Sequence, residues 1–195
     1  MRKSNQVAKD AILEAALPSV PFDGWTMKTL EDAALTAGYP ASMVPSVFPA
    51  GVKDALIHFS DWADRRMMDV LQTGSIPLRV RDRIALAVRT RFESLAPFRE
   101  AERLAIAFWV RPFRKWEGAR LVWKTADVIW KWAGDTATDY NRYTKRGLLS
   151  GVLTATALVW LSDTSKGSQD SWAFLERRIE NIMDVGKIVA KVKKA

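Results

Sequence analysis

The chain contains no cysteine, which excludes disulfides, thiol nucleophiles and thiolate metal sites. It has one histidine, His58, with no glutamate three residues before it. A di-iron bundle needs Glu-x-x-His pairs on two helices, so that chemistry is excluded as well, and no metal-ligating set is expected. No apolar run reaches the roughly 18 residues of a membrane-spanning helix. Met1 to Lys9 hold neither the apolar core of a signal peptide nor a long Arg/Ser-rich presequence, so the mature chain is expected to stay where it was made. There is no phosphate-binding loop, no dinucleotide fingerprint and no compelling Ser/His/Asp arrangement. No catalytic residue is therefore nominated. Nothing reads as a strand, and no repeat or low-complexity segment is found. What remains is a globular chain of 195 residues, 48% apolar, long enough to bury one substantial core.

Its net charge of +8 is unevenly spread: residues 1–60 carry five Lys/Arg against six Asp/Glu, and residues 61–195 carry twenty-five against sixteen. An anionic partner would meet the later two thirds and not the first.

Apolar spacing predicts helices throughout. Residues 5–17 form the first, on Val7, Ala8, Ile12, Ala15 and Ala16, until Pro18 and Pro21 stop it. Thr26 is placed to N-cap a second helix that Gly38 closes. A third covers Ala41 to Phe48, ended by Pro49 and Gly51. A longer helix from Val52 to Leu71 carries Ala55, Leu56, Phe59, Trp62, Ala63, Met67 and Val70 on one face. Pro77 opens the next, with Val80, Ile84, Ala87, Val88, Phe92 and Leu95 inward. Its polar side holds Arg79, Arg81, Arg83, Arg89 and Arg91, either a solvated face or an attractor of anionic lipid. A sixth helix starts at Pro97. After Pro112 a central helix runs to Ala133 and is capped by Gly134. Another leads from Thr138 or Asp139 to Leu161, polar first and then apolar. Asp170 to Met183 makes a further helix, and Ile182 to Ala195 a small basic amphipathic one.

The first three helices match a helix-turn-helix layout. The segment Val47-Phe48-Pro49-Ala50-Gly51-Val52 resembles the end of the TetR-family DNA-binding domain, where a Phe-Pro turn closes the recognition helix. Yet from Pro40 to Gly51 there is no Lys, Arg, Asn or Gln, the residues that hold phosphates and read bases. The layout is present without its chemistry, and no nucleic-acid partner is expected.

Five of the nine tryptophans lie between Phe108 and Arg146. Trp109, Trp116, Trp123 and Trp130 are seven residues apart, a spacing that drifts only about 20° per step on a helix. Pro112 breaks the first step, leaving Trp116, Trp123 and Trp130 as a stripe. Core packing, a lipid pocket, a partner surface and a membrane face all account for it at this point.

Directly after the stripe comes Trp130-Lys131-Trp132-Ala133-Gly134-Asp135-Thr136-Ala137-Thr138-Asp139-Tyr140-Asn141-Arg142-Tyr143-Thr144-Lys145-Arg146. This run resembles the signature W-x-Y-A-G-D-x-S-T-D-x-N-W-Y-T-R-R of the Coq-nine family of ubiquinone-biosynthesis proteins. Gly24-Trp25-Thr26, Phe48-Pro49-x-Gly51, His58-Phe59 and Asp170-x-Trp172-x-Phe174-Leu175-x-x-Arg178 match in the same order.

The resemblance implies an all-α, TetR-like bundle of nine to ten helices in one domain. Residues 1–50 would be a vestigial helix-turn-helix part, 51–184 a lipid-binding core and 185–195 a basic tail. It implies a non-enzymatic accessory protein without a cofactor. Such a protein holds an isoprenoid quinone or phospholipid and presents a quinone intermediate to the di-iron demethoxyubiquinone hydroxylase. The partner-docking residues would be Asp127, Ile129, Trp130, Asp139, Asn141, Arg142, Tyr143 and Arg146. Phe108, Trp109, Trp116, Trp123 and Trp160 would line the lipid site, and Lys187, Ile188, Lys191 and Val192 would touch the membrane surface. Arg142 stands where the signature has an aromatic, and Asp139 is also placed to N-cap its helix. A homodimer is expected, in the cytoplasm at the inner membrane for a bacterial-type protein, or on the matrix side in mitochondria. The alternatives are a TetR-type repressor sensing an apolar ligand and, after it, an enzyme acting on an isoprenoid.

Overall fold

The structure is a computed structural model that describes residues 2–192 apart from 77, 78, 137 and 139, and side chains from residue 5 to 182 apart from those four and Tyr140. All regular structure among the described residues is helical. The α-helices are α1 (Arg2–Ala16), α2 (Val20–Asp23), α3 (Met27–Thr36), α4 (Val44–Val47) and α5 (Val52–Thr73), then α6 (Val80–Leu95), α7 (Arg99–Trp109), α8 (Lys115–Trp132), α9 (Tyr140–Ser162) and α10 (Gln169–Val192). They fold into two compact units, Met1–Arg65 with Leu95–Gly118, and Arg66–Ser94 with Ala119–Ala195.

In the first unit α1 packs on α3 and α2 on α7. Ile12, Leu13, Leu17, Leu30, Phe48, Leu56 and Phe59 are buried there. Trp25 donates its indole N–H to the Ala101 carbonyl at 3.0 Å. From Trp25 an aromatic series runs through Phe59 and Trp62 to Phe98, with centroid spacings of 5.3, 6.0 and 5.7 Å. Thr26 caps α3 as expected, its hydroxyl accepting the Thr29 backbone N–H. At the other end Gly38 takes φ 81°, and the Tyr39 N–H closes back on the Ala34 carbonyl at 2.8 Å, the arrangement glycine alone adopts without strain.

Several expectations need correction. Residues 41–48 are not one helix but a 3-10 turn, Ala41–Met43, followed by the single turn α4. Pro45 has no N–H to give the Ala41 carbonyl, so a continuous α-helix is interrupted there. The stretch after Pro18 holds the short α2, with Pro21 in its first turn where no N–H is needed. Val7, Val70 and Val80 are exposed; on α5 it is Leu71, four residues beyond Met67, that is buried instead. The helix start expected at Pro77 lies outside the described residues.

His58 is buried, and its Nε2 lies 2.8 Å from an Asp10 carboxylate oxygen that Arg65 also contacts. Burial holds its pKa below the ordinary 6.5, although Asp10 pulls the other way. The unfolded chain therefore takes up this proton first as the pH falls, so the stabilising contribution is complete above 6.5 and lost below it. Urea midpoints measured across that value are expected to decline on the acid side, and less steeply in His58→Gln. Equal slopes would remove His58 as the cause.

In the second unit α9 packs along α10, and Ile84, Val88, Phe92, Leu149, Leu153, Leu175 and Ile179 are buried there. The arginines expected on one polar side do not form one solvated face: Arg79, just before α6, and Arg81 and Arg89 on it are exposed, but Arg91 is buried. Arg83 is half-buried and donates to the Ala133 carbonyl at 3.1 Å. Between α9 and α10, Asp163 accepts hydrogen bonds from the hydroxyls and backbone N–H groups of Ser165 and Ser171. These four donors, those of Ser165 foremost, hold its carboxyl far below the usual range. The two helices expected after Asp170 are one, since α10 continues unbroken to Val192. The lone Gly186 costs only about 1 kcal/mol in a helix interior and does not end it.

Candidate partner-docking site

The signature run falls at the end of α8, the turn after it and the start of α9, wholly within the second unit. α8 ends because Gly134 enters the left-handed region at φ 93°. The Asp135 N–H then reaches back to the Trp130 carbonyl at 2.9 Å, and the Gly134 N–H to that of Lys131. This closure turns the Asp135 side chain inward, where it is almost fully buried. Asp127, two helical turns earlier, is also largely covered.

Arg146 of α9 joins the two carboxylates. Its Nε donates to Asp127 at 2.6 Å and its Nη1 to Asp135 at 2.8 Å, and its side chain is 2% exposed. The planar guanidinium presents two donor directions at once, which a lysine ammonium does not. Outside this buried bridge lie three further cations. Lys131 pairs with Asp127 at 2.7 Å, Lys145 with Asp135 at 2.6 Å, and Arg142 approaches Asp127 at 3.4 Å. Burial opposes the charge on Asp127, but hydrogen bonds from Lys131 and Arg146 outweigh it and hold its pKa below the ordinary value. Burial likewise works against the Arg146 cation, and Asp127 and Asp135 more than compensate.

Trp130 is buried beside this cluster, donating its indole N–H to the Lys145 carbonyl at 3.0 Å, with the Lys145 ammonium 5.3 Å from its ring centre. Ile129 is fully buried. The expected docking residues therefore separate into two sets. Ile129, Trp130 and Arg146 lie beneath the surface with Asp127 largely covered, so they support the patch and offer a partner little direct contact. Asn141, Arg142 and Tyr143 reach solvent, Tyr143 being 62% exposed. Asp139, and with it the N-cap reading, lies outside the described residues. Lys131, Asp135 and Lys145 were not singled out from the sequence; the Asp127/Lys131 spacing of four was the available signal.

The tryptophan stripe is graded. Trp116 is 73% exposed, Trp123 half-buried and Trp130 buried. Trp123 sits over Gly147 of α9, where a β-carbon would lie 3.8 Å from its ring, and beside Tyr143 at 6.3 Å between centroids. The other lipid-site candidates are divided between the two units. Trp160 is buried against Phe92 at 5.2 Å in the second unit. In the first unit, Trp109 is buried, and Phe108 meets it edge-on at 5.0 Å. The side chains of Lys187, Ile188, Lys191 and Val192 lie outside the described residues, although α10 extends through them.

The fold is TetR-like. It superposes on the crystal structure of a TetR transcriptional regulator from Nitrosomonas europaea with a TM-score of 0.72 at 18% identity, covering 90% of this chain and 97% of that one. The sequence model of the COQ9 family matches residues 116–186, which contain the whole cluster. The chain is 32% identical to the rat ubiquinone biosynthesis protein COQ9, mitochondrial, over 199 residues, 98% of this chain and 64% of the rat protein. To the human protein it is 31% identical, covering 98% and 62%. The Drosophila melanogaster protein gives 30%, covering 92% and 56%. The chain is thus similar to the COQ9 proteins over nearly its whole length, and it spans less than two thirds of the length of these relatives. Among the described residues no helix is long and apolar enough to cross a membrane.

Proposed function

We propose that the chain serves ubiquinone biosynthesis as a non-enzymatic, lipid-binding accessory protein. It holds an isoprenoid quinone intermediate and presents it to the di-iron demethoxyubiquinone hydroxylase, working as a homodimer peripheral to the inner membrane. The match to the COQ9 family model and the relatives' names support the pathway. The observation that carries the docking half is the exposed Tyr143, beside Arg142 and Asn141, on a helix start anchored by the Arg146 bridge. An exposed aromatic and an arginine on a rigid base are typical interface anchors. The Arg142 guanidinium, where the family signature has an aromatic, suits a partner offering a carboxylate at that point. The ligand is the quinone itself, and no metal or cofactor enters the proposal.

Tyr143→Ala is expected to weaken hydroxylase pull-down by about tenfold or more, the loss of one hot-spot aromatic, with helical content unchanged. Undiminished pull-down would remove Tyr143 from the interface. Solvent extraction and mass spectrometry of the purified protein test the lipid half, and a quinone or its precursor is the expected ligand. Specific nanomolar duplex DNA binding would instead establish the repressor reading.

A further inference from the structure

The corner between α7 and α8 has a construction of its own, wholly inside the first unit. Gly118 lets the start of α8 press against the end of α7; a β-carbon there would stand 2.9 Å from the Trp109 β-carbon. The chain between them is pinned by the Val110 N–H on the Ile106 carbonyl, the Arg114 N–H on that of Arg111, and the Gly118 N–H on that of Arg114. From this rigid corner three apolar side chains point into solvent: Val110 at 69% exposure, Phe113 at 97% and Trp116 at 73%.

Phe113 also sits at φ 69°, a backbone region that glycine or asparagine occupies far more readily. A bulky aromatic held in that conformation and fully in water gains nothing from the fold that surrounds it. Basic residues alternate with the apolar ones. Arg111 and Lys115 are exposed, Arg114 lays its guanidinium 4.0 Å over the Phe108 ring, and the Lys115 ammonium lies 5.6 Å from the Trp116 ring. The one carboxylate in the sequence from Val110 to Ala119, Glu117, is paired with Lys53.

Aromatic tips ringed by cations match a bilayer interface on both counts: the rings enter the headgroup boundary and the cations meet anionic phospholipid. We infer that the α7–α8 corner is a membrane-insertion element selective for anionic lipid, with Phe113 and Trp116 as its inserted residues. This site is separate from the basic end of α10 and does not rest on the quinone reading.

The absence of cysteine permits a direct test on the full chain. Phe113→Cys carrying an environment-sensitive NBD dye is expected to brighten and shift to the blue with vesicles of phosphatidylcholine and phosphatidylglycerol, and to respond weakly to phosphatidylcholine alone. The same dye at Phe22, exposed but next to Asp23, is expected to stay unchanged. In vesicle flotation, F113N/W116S should bind at least about tenfold more weakly, asparagine being at home at that φ. R111E/K115E should lose the preference for anionic vesicles. An unresponsive dye at residue 113, an equal response at residue 22, or full binding by F113N/W116S overturns the inference. So does a double variant that loses self-association while vesicle binding persists, which would assign the corner to a second copy of this chain. A protein that yields no quinone on extraction but inserts residue 113 would overturn only the proposed function.

Discussion

Arg146→Met is expected to lower folding stability by about 3–5 kcal/mol, the cost of breaking a buried ion pair by removing one partner. Methionine fills much of the same space, so the loss is electrostatic and not a cavity. It removes the guanidinium that bridges the carboxylates of Asp127 and Asp135, leaving the outer lysines and Arg142 beside them. Arg146→Lys should recover part of the loss, because one ammonium reaches only one of two acceptors spread across 2.6 and 2.8 Å contacts. The pH dependence identifies the cause. In the parent chain the Asp127 carboxyl is held below its ordinary value, so its contribution is complete above that value and lost as the pH falls through the lowered pKa. The stability gap between the two, measured by urea unfolding, should therefore narrow as the pH falls below 3.8. A gap below about 1 kcal/mol, typical of an exposed pair, would show that the bridge is not buried in solution.

Trp160→Ala is expected to cost a comparable amount, about 3–5 kcal/mol. Its side chain is 1% exposed and packs on Phe92 at 5.2 Å, so removing the indole opens a cavity that neighbouring helices close only in part. Trp160→Phe keeps most of the volume and should cost distinctly less. Extraction of the purified variants separates core from ligand site. A Trp160→Phe protein that is less stable but retains its full lipid complement places the residue in the core. One that is as stable as the parent and carries no lipid assigns it to ligand binding.

The distance between sequence and structure is instructive where side chains of known type behave in two ways. Thr26, Gly38 and Gly134 mark helix ends in the sequence because their roles are local: a hydroxyl meets its own helix's N–H groups, and a glycine tolerates φ above zero. The boundaries near these residues were accordingly legible. Arg146 was legible as part of a specific signature but not as a buried residue. An arginine reads as surface until the fold brings it two carboxylates, one from α8 and one from the turn beyond it. The tryptophan stripe shows the same limit. A spacing of seven assigns Trp116, Trp123 and Trp130 to related directions on a helix, but what covers each depends on chain distant in sequence. At Pro45 a proline inside a short apolar run broke a helix that was expected, whereas the two helices expected after Asp170 proved to be one.

The bridge between Asp127, Arg146 and Asp135 divides the charges at the start of α9 by their response to ionic strength. At physiological salt mobile ions screen exposed charges beyond about 8 Å, and they act weakly on pairs that water does not reach. Arg146 and Asp135 are nearly fully buried, whereas Lys131, Arg142 and Lys145 are substantially exposed. Added salt should thus leave the helix start and the placement of Tyr143 as they are, while progressively silencing the outer cations. A salt series of partner affinity would then report the outer cations alone, against a scaffold that does not move.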